Sequence, residues 1–498
     1  MGSNGIPALK RQSPGLLLAV GSTLILLILL SSSAARAAQG PTFSNGQNAS
    51  LVLGQTDFTS SSSGAGQTHL SDPEVLAFDG SGSLWVADSA NDRVLEFTAP
   101  LSTGEGAAIV LGEPDFASTF GCLGTSIVNS SCLTDPEGIA FDHSGNLWVS
   151  DTAQDRVLKF TPPFSNNEAA SLVIGQPDMV TGNNPGASPS ASDLNAPKGL
   201  AFDSSGNLWV ADVGYNRVLK FTTPLVSGES ATLAIGQSNF TSGTFPNVPG
   251  CPPNCPPSQS SLDGPIALAF DSSGNLWVSD WSNHRVVEYN QPFSMGQNAA
   301  LVIGGPDFNS NYGFCPGLDP DKCFAPPDSI AFDHSGNLWV SDVGDSRVLG
   351  FLSPLSSSQS ASLVLGLPDL TSEAPFFGAP SAGNMSAPNG LAFDSSGNLW
   401  VADTGFNRVL EFVPGTASVT TTTTSSSVGS TTTTTLSQQQ SSTQTQSSTT
   451  SSSSSGGGSG IPEFPYQLLA AGAFTVAVAA SYLVVRRKAS STAIGTPM

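Results

Sequence analysis

Short apolar segments separated by short polar turns recur along residues 50–412 of this chain. One set of segments runs from Gly199 to Asp203, from Leu208 to Asp212 and from Arg217 to Phe221. Gly206 lies in the turn between the first two. Apolar runs of this length, bounded by glycine, asparagine and aspartate, are typical of β-strands joined by tight turns. Each set therefore predicts three consecutive strands.

The set occurs six times, and a tryptophan in its second strand marks the period. These tryptophans recur every 61 to 68 residues, at Trp85, Trp148, Trp209, Trp277, Trp339 and Trp400. A second apolar motif that ends in glycine also occurs six times, starting at Leu51, Val110, Leu172, Leu233, Leu301 and Leu363. A fixed period indicates repeated units that pack against their neighbours, and the second motif gives each unit a fourth strand.

The two motifs are out of phase at the ends of the array. The first glycine-ending motif precedes the first tryptophan unit, whereas the last tryptophan unit ends at Phe412 with no such motif after it. Residues 50–54 are therefore expected to complete the sheet built by residues 388–412, which removes its exposed edges. The sequence predicts an all-β, six-bladed β-propeller of four-stranded blades closed by a strand from the other end of the chain.

The repeated segments resemble the NHL-repeat family. The resemblance rests on Pro-Glu-Gly-Ile-Ala-Phe-Asp at Pro136 to Asp142, Gly-Asn-Leu-Trp-Val-Ser-Asp at Gly145 to Asp151, and Asn-Arg-Val-Leu at Asn216 to Leu219. It covers residues 50–412 and implies the same six-bladed fold. Because the family includes ligand sensors, RNA binders and lyases, the resemblance implies no single activity.

The two ends of the chain predict where the propeller, residues 38–415, is located. Residues 1–37 hold Lys10 and Arg11 before an apolar run and read as a secretory signal, with an uncleaved anchor as the alternative. Residues 416–460 are almost wholly Ser, Thr, Gln and Gly, as in a disordered stalk. The propeller is thus expected to be exported and held outside the cell.

The segment 461–488 contains an apolar stretch of 20 residues, 466–485, followed by three basic residues, and predicts one transmembrane helix with 489–498 as a cytoplasmic tail. Its Pro-Glu-Phe, at residues 462–464, resembles sorting signals of archaeal surface proteins. This resemblance implies that the helix is removed during sortase-type processing, whereas a plain transmembrane anchor would retain it.

The net charge of the chain indicates which classes of partner it can bind. The formal net charge is −22, and only ten of the 16 Lys and Arg residues lie outside the terminal segments. A strongly negative surface repels nucleic acid and attracts cations, so nucleic-acid binding is disfavoured. Six of those ten are arginines, one in each repeat: Arg93, Arg156, Arg217, Arg285, Arg347 and Arg408.

Polar residues present in every repeat are expected to be architectural. An aspartate in each first hairpin, such as Asp203, is predicted to cap turn amides. A second aspartate ends the second strand, as Asp212 does, and the repeat arginine follows five residues later. We expect these two to form buried pairs that link strands. The tryptophans are expected to pack between blades.

The cysteines fall into three close pairs, each in a different loop between repeats: Cys122 with Cys132, Cys251 with Cys255, and Cys315 with Cys323. In an exported chain this spacing predicts three local disulfides. A metal site is the alternative for the Cys-Pro-Pro-Asn-Cys segment, although no histidine lies nearby.

Function is expected where the repeats differ. We call the residues directly after the leading proline of each unit the channel mouth: Glu74, Glu137, Lys198, Ile266, Asp328 and Asn389. We call the side of the propeller on which they lie, together with the long loops between units, the loop face. The turns between second and third strands add Tyr215, Trp281, His284, Asp345 and Phe406 to this face as exposed candidates.

Two hypotheses follow. The first is a recognition module, a monomeric ring that binds a protein, glycan or small ligand through its loop face and needs no cofactor. The second is a lyase or lactonase in which Glu74, Glu137 and Asp328 hold Ca²⁺, an ion that takes six to eight oxygen ligands. A water-filled channel with Lys198 as counter-charge is the alternative to the ion. The chain has four histidines, His69, His143, His284 and His334, and no three can converge to bind the zinc of an amidating lyase.

Overall fold

The computed structural model describes Gly2 and residues 42–415, except 125–127, 183–187, 244–255, 311–319 and 373–377. The predicted signal, stalk, anchor or sorting segment and tail lie outside the described residues, as do Cys251, Cys255 and Cys315. Within the part that is described, no helix has the length and apolar character needed to cross a bilayer.

In the described part of the chain, twenty-four strands form six separate four-stranded antiparallel sheets, which confirms the predicted blades. Blade 1 is β2 Pro73–Phe78, β3 Leu84–Asp88, β4 Arg93–Phe97 and β5 Ile109–Leu111. Blade 2 is β6 Pro136–Phe141, β7 Leu147–Asp151, β8 Arg156–Phe160 and β9 Leu172–Ile174. Blade 3 is β10 Pro197–Phe202, β11 Leu208–Asp212, β12 Arg217–Phe221 and β13 Leu233–Ile235.

Blade 4 is β14 Pro265–Phe270, β15 Leu276–Asp280, β16 Arg285–Tyr289 and β17 Leu301–Ile303. Blade 5 is β18 Pro327–Phe332, β19 Leu338–Asp342, β20 Arg347–Phe351 and β21 Leu363–Leu365. Blade 6 is β22 Pro388–Phe393, β23 Leu399–Asp403, β24 Arg408–Phe412 and β1 Leu51–Leu53. Short 3₁₀ turns occupy Ser89–Asn91, Gly121–Gly124, Thr152–Gln154, Val213–Tyr215, Trp281–Asn283, Val343–Asp345 and Thr404–Phe406.

The blades form a closed ring. The first strand of each blade contacts the first strand of the next, and the first strand of blade 6 contacts that of blade 1. Strand β1 pairs antiparallel with β24, with Val52 opposite Leu410, so the predicted closure is confirmed. Val52 and Leu53 are fully buried. Closure therefore buries apolar surface as well as a sheet edge.

In blade 6, the residues after β24 and the residues before β1 together form a turn. In the other blades, the equivalent turn is a continuous segment between the third and fourth strands. Gln47 Nε2 donates to the Val413 carbonyl at 2.7 Å. The equivalent Gln297 Nε2 in blade 4 donates to the Asn290 carbonyl, also at 2.7 Å. Thr42 and Gly415 bridge each other by two backbone hydrogen bonds of 3.0 Å. The two ends of the described body thus meet inside one turn.

The repeat tryptophans pack between blades and the hairpin aspartates cap turn amides, as predicted; Asp203 Oδ1 accepts from the backbone N–H groups of Ser205 and Asn207 at 3.0 Å. Trp85 of blade 1 is buried in one cluster with Ile139 and Leu147 of blade 2. All six repeat tryptophans are at most 2% exposed. Each indole N–H also donates to the hairpin aspartate, as Trp209 Nε1 does to Asp203 Oδ2 at 3.1 Å. Burial of the ring is therefore compatible with a satisfied indole donor.

Candidate functional site

The channel mouth is set by the way each first strand begins. The residue before the leading proline takes a left-handed conformation in five blades, with φ of 47 to 61° at Asp72, Asp135, Ala196, Gly264 and Ala387. This turns the chain from the long loop into the strand. Side chains just before and just after the proline are therefore brought to the start of the same strand.

Two contacts between neighbouring blades join four of the predicted channel-mouth residues. The Lys198 ammonium of blade 3 forms an ion pair with Glu137 Oε2 of blade 2. Asn389 Nδ2 of blade 6 donates to Glu74 Oε2 of blade 1 at 2.6 Å. The other amide atom, Asn389 Oδ1, is buried and has no hydrogen-bond partner among the described residues. Among the described residues, the mouth therefore holds a neutral acceptor that lacks a donor.

Asp72 and Asp135, which directly precede the prolines of blades 1 and 2, add two carboxyls beside the channel mouth. The repeat pattern does not identify these two residues, because the position before the leading proline is Ala or Gly in three other blades. Burial, and then the negative charge of Glu137, raises the pKa of Asp135 to about 8. The same two causes raise the pKa of Asp72. These carboxyls belong to the same electrostatic cluster as the channel mouth.

The charges of this cluster act on one another. Burial and the carboxylate of Glu137 raise the pKa of Glu74 well above its usual range. Burial raises the pKa of Asp328 to about 6, although Lys198 opposes that change. Burial disfavours the charge of Lys198, yet Glu137, Glu74 and Asp328 together keep its pKa above the usual value. Five carboxyls thus share the field of one ammonium.

The three predicted calcium ligands share one mouth but do not form one coordination sphere. Within the described ranges, no three carboxylate, imidazole or thiol side chains are grouped closely enough to hold a metal ion. Glu137 is paired with Lys198, and Glu74 is bonded to Asn389. This arrangement is better suited to binding cationic groups at separate carboxylates than to coordinating one metal ion.

The repeated aspartate and arginine form a buried clamp in every blade, which confirms their architectural role. Each arginine Nε donates to its aspartate at 2.6 to 2.8 Å, and both side chains are at most 2% exposed. In blade 3, Arg217 also donates to the carbonyls of Ser190, Asp193 and Phe240. These carbonyls lie in the loops that enter and leave the blade. The clamp therefore fixes the loop face.

Three of the predicted loop-face candidates belong to these clamps. The guanidinium carbon of Arg217 lies 5.0 Å from the ring centre of Tyr215, and that of Arg408 lies 5.1 Å from the ring of Phe406. Asp345 accepts from Arg347 Nη2 at 3.1 Å. Tyr215 is buried and Phe406 half-buried, so the expectation of exposed aromatic rings was wrong for these two. Their rings cover the clamp.

Trp281 and His284 lie in the corresponding turn of blade 4 and have different surroundings. His284 is half-buried with Nδ1 3.3 Å from the Phe324 carbonyl, and burial lowers its pKa. Trp281 is half-buried, and its backbone N–H donates to the Gly264 carbonyl at 3.3 Å. Gly264 directly precedes the leading proline of blade 4, so the backbone of Trp281 lies beside the channel mouth.

One predicted disulfide is described completely. Cys122 and Cys132 are bonded, with Cα atoms 5.1 Å apart. Cys323 is also disulfide-bonded, while its predicted partner lies outside the described residues. The Cys132 carbonyl accepts from Arg156 Nη2 at 3.1 Å, so the first disulfide lies directly against a clamp.

We expect peptide mapping of the unreduced protein to find only local disulfides. Proteolytic fragments should link Cys122 to Cys132, Cys251 to Cys255 and Cys315 to Cys323, since short loops bring each pair together. Mass spectrometry before and after reduction measures this directly. A fragment that joins cysteines from two different loops would contradict the pairing.

The raised carboxyl pKa values predict that the protein becomes more stable as the pH falls from 8 to 5. The unfolded carboxyls titrate near about 4, so over this range the folded state binds more protons than the unfolded state. Melting temperatures at pH 8, 6.5 and 5 should therefore rise in that order. Asp135→Asn should remove part of the change between pH 8 and 6.5, and an unchanged pH profile in this variant would refute the assignment.

Comparison with known proteins agrees with this architecture. The family model of the NHL repeat matches residues 194–221 and 262–289, which hold the first three strands of blades 3 and 4. The chain is an NHL-repeat β-propeller. Mouse (Mus musculus) Teneurin-3 is 24% identical over 324 residues, which are 60% of this chain and 11% of that protein. Human Teneurin-1 is 23% identical over 350 residues, 64% of this chain and 12% of that protein. The chain thus spans about a tenth of the relatives it matches.

Solved structures of low similarity also match. Selenomethionine-substituted virginiamycin B lyase from Staphylococcus aureus is 13% identical, with a TM-score of 0.37, over 69% of this NHL-repeat chain and 95% of that chain. An auxiliary nutrient binding protein from Bacteroides thetaiotaomicron is 10% identical, with a TM-score of 0.45, over 73% and 76% of the two chains. Likeness at this level says nothing about activity.

Proposed function

We propose that this NHL-repeat propeller is a recognition module that binds a cationic ligand at the channel mouth of its loop face. The observation that carries the proposal is the gathering of carboxyl groups at that mouth. Asp72, Glu74, Asp135, Glu137 and Asp328 are gathered around the single ammonium of Lys198. Burial and mutual repulsion raise the pKa values of these carboxyls, and a bound cation offsets both effects because it favours the ionised form; low-dielectric surroundings strengthen that attraction.

The rest of the molecule supports binding by holding the mouth rigid. The clamps fix the loops that lead into each first strand, and the disulfide braces one of these loops. Repeated positions thus supply a scaffold, and the positions that differ between blades supply the chemistry. The terminal segments add the proposal that the module works outside the cell, held at its surface by the stalk and the segment 461–488.

The test is a triple variant, Glu74→Gln, Glu137→Gln and Asp328→Asn, which keeps side-chain size and removes charge. We expect it to fold and to lose at least about tenfold in affinity for cations, because charge-assisted hydrogen bonds are roughly twice as strong as neutral ones. Calorimetric titrations with CaCl₂ and with n-butylamine compare it with the unaltered chain. Equal affinities in both proteins would contradict a binding site at the channel mouth.

A further inference from the structure

One hydrogen-bond acceptor of the channel mouth is buried without a donor among the described residues. Asn389 is 8% exposed, and its Oδ1 has no hydrogen-bond partner among the described residues. The same amide donates through Nδ2 to Glu74, which places it within the acidic cluster. A buried polar atom is normally hydrogen-bonded, so this oxygen points to a donor from outside the described residues, which a ligand can supply. The cluster thus offers a ligand both carboxylates and a neutral acceptor.

Lys198 shows which kind of cation the cluster accepts. Its primary ammonium, at the end of the alkyl side chain of a blade 3 residue, forms an ion pair with Glu137 of blade 2. No cationic side chain is paired in the described structure with the carboxyls of Glu74 or Asp328. An ammonium has three N–H donors and no acceptor, which suits two carboxylates and an amide oxygen. The ammonium group of a ligand could therefore bind to carboxylates of this cluster in the same way that the Lys198 ammonium binds to Glu137.

In blade 4 the channel-mouth residue is apolar. Ile266 takes the position that Lys198 occupies in blade 3. Trp281 begins the turn whose first residue, in three other blades, reaches the leading proline of the next blade through a hydroxyl. From this equivalence we infer that the Trp281 side chain lies near Pro327, next to Asp328, although the Pro327 carbonyl itself accepts from Ser279 Oγ at 2.8 Å. An aromatic ring beside a carboxylate favours an organic cation, because the carboxylate binds the charge and the ring contacts the carbon atoms.

We propose that the channel mouth binds an organic ammonium ion, whose charge is held by Glu74, Asp328 and Asn389 and whose carbon chain lies against Trp281 and Ile266. This inference rests on the proposed function, since it names the ligand class of the same site. A bare divalent cation fits less well, because the described residues offer no group of three ligands and Ca²⁺ takes six to eight oxygens.

The experiment titrates the full-length chain with n-butylamine, with n-butanol as the neutral analogue, and with CaCl₂, and it follows tryptophan fluorescence and heat. We expect n-butylamine to bind and n-butanol not to bind. Asp328→Asn, which places the blade 6 type of side chain in blade 5, should weaken n-butylamine by about tenfold. Trp281→Val, which restores the residue found in blades 3 and 5, should weaken it by about threefold.

Two further variants make the test specific. Ile266→Lys gives blade 4 the residue of blade 3, and its internal ammonium should abolish n-butylamine binding while the protein stays folded. Asp307→Asn is the matched control, since it removes one exposed charge from the same face and reproduces Asn239 of another loop. It should change the affinity by less than about twofold.

The outcomes separate the two proposals. Equal binding of n-butylamine and n-butanol, or an equal loss in Asp307→Asn and Asp328→Asn, would overturn the ammonium site. Binding of CaCl₂ that depends on Asp328, without binding of n-butylamine, would overturn the ligand class and leave the proposed function standing. Binding of neither cation would overturn both.

Discussion

Replacing Arg217 with methionine is expected to lower the free energy of unfolding by about 3–5 kcal/mol. The change leaves Asp212 as a fully buried carboxylate without its cationic partner, which lies 2.6 Å away in the intact clamp. It also removes the donors to three loop carbonyls. Equilibrium denaturation of the variant and the unaltered chain measures the difference.

Two controls separate the clamp from a general effect of lost charge. Lys220→Met removes a cation from the same strand, but Lys220 is 21% exposed and its ion pair with Asp203 lies near solvent. Its loss should cost less than about 1 kcal/mol. Adding Asp212→Asn to Arg217→Met should restore part of the stability, because the stranded charge is removed. Equal effects of Arg217→Met and Lys220→Met would contradict the structural role of the clamp.

The fold could be predicted from the sequence because its determinants are local and repeated. Trp209, Asp203 and Gly206 lie within seven residues of one another and recur with the same spacing in each unit, so strand, hairpin and packing face follow from one unit. The pairing of Asp212 with Arg217 could also be inferred, since the two residues lie opposite each other on adjacent strands of one hairpin.

The details of the site could not be predicted in the same way. Asn389 and Glu74 are 315 residues apart in the chain and meet only because the ring closes. Tyr215 was identified as an aromatic residue on the correct face, but its sequence position does not show that the 3₁₀ turn directs the ring onto Arg217. Residue type and blade position follow from the repeat, whereas side-chain direction depends on the turn.

Deleting residues 42–54 is expected to destabilise the propeller more than any single substitution in a clamp. The deletion removes β1, the only strand of blade 6 that comes from the other end of the described chain, and it exposes the edge of β24. Two fully buried side chains, Val52 and Leu53, are lost. Truncating one such side chain typically costs about 2–5 kcal/mol, and an exposed sheet edge also promotes aggregation.

Deleting residues 416–455 is the matched control, because it removes a longer stretch from outside the described ring. This variant should melt within about 1 °C of the full chain, since a segment of mostly Ser and Thr has few apolar side chains to bury. A third variant separates loss of the strand from loss of its connection. It joins Gly415 to Thr42 through a short linker and opens the chain between Thr103 and Gly104, in the equivalent turn of blade 1.

The permuted chain should fold and keep the stability that the deletion variant loses, because Thr42 and Gly415 are already held together by two backbone hydrogen bonds. Calorimetric scans of the three variants beside the full chain measure the comparison. If the 42–54 deletion melted with the full chain, β1 would not be the closing strand. If the permuted chain failed to fold, closure would depend on where the chain starts, and pairing of β1 with β24 alone would be insufficient to complete the ring.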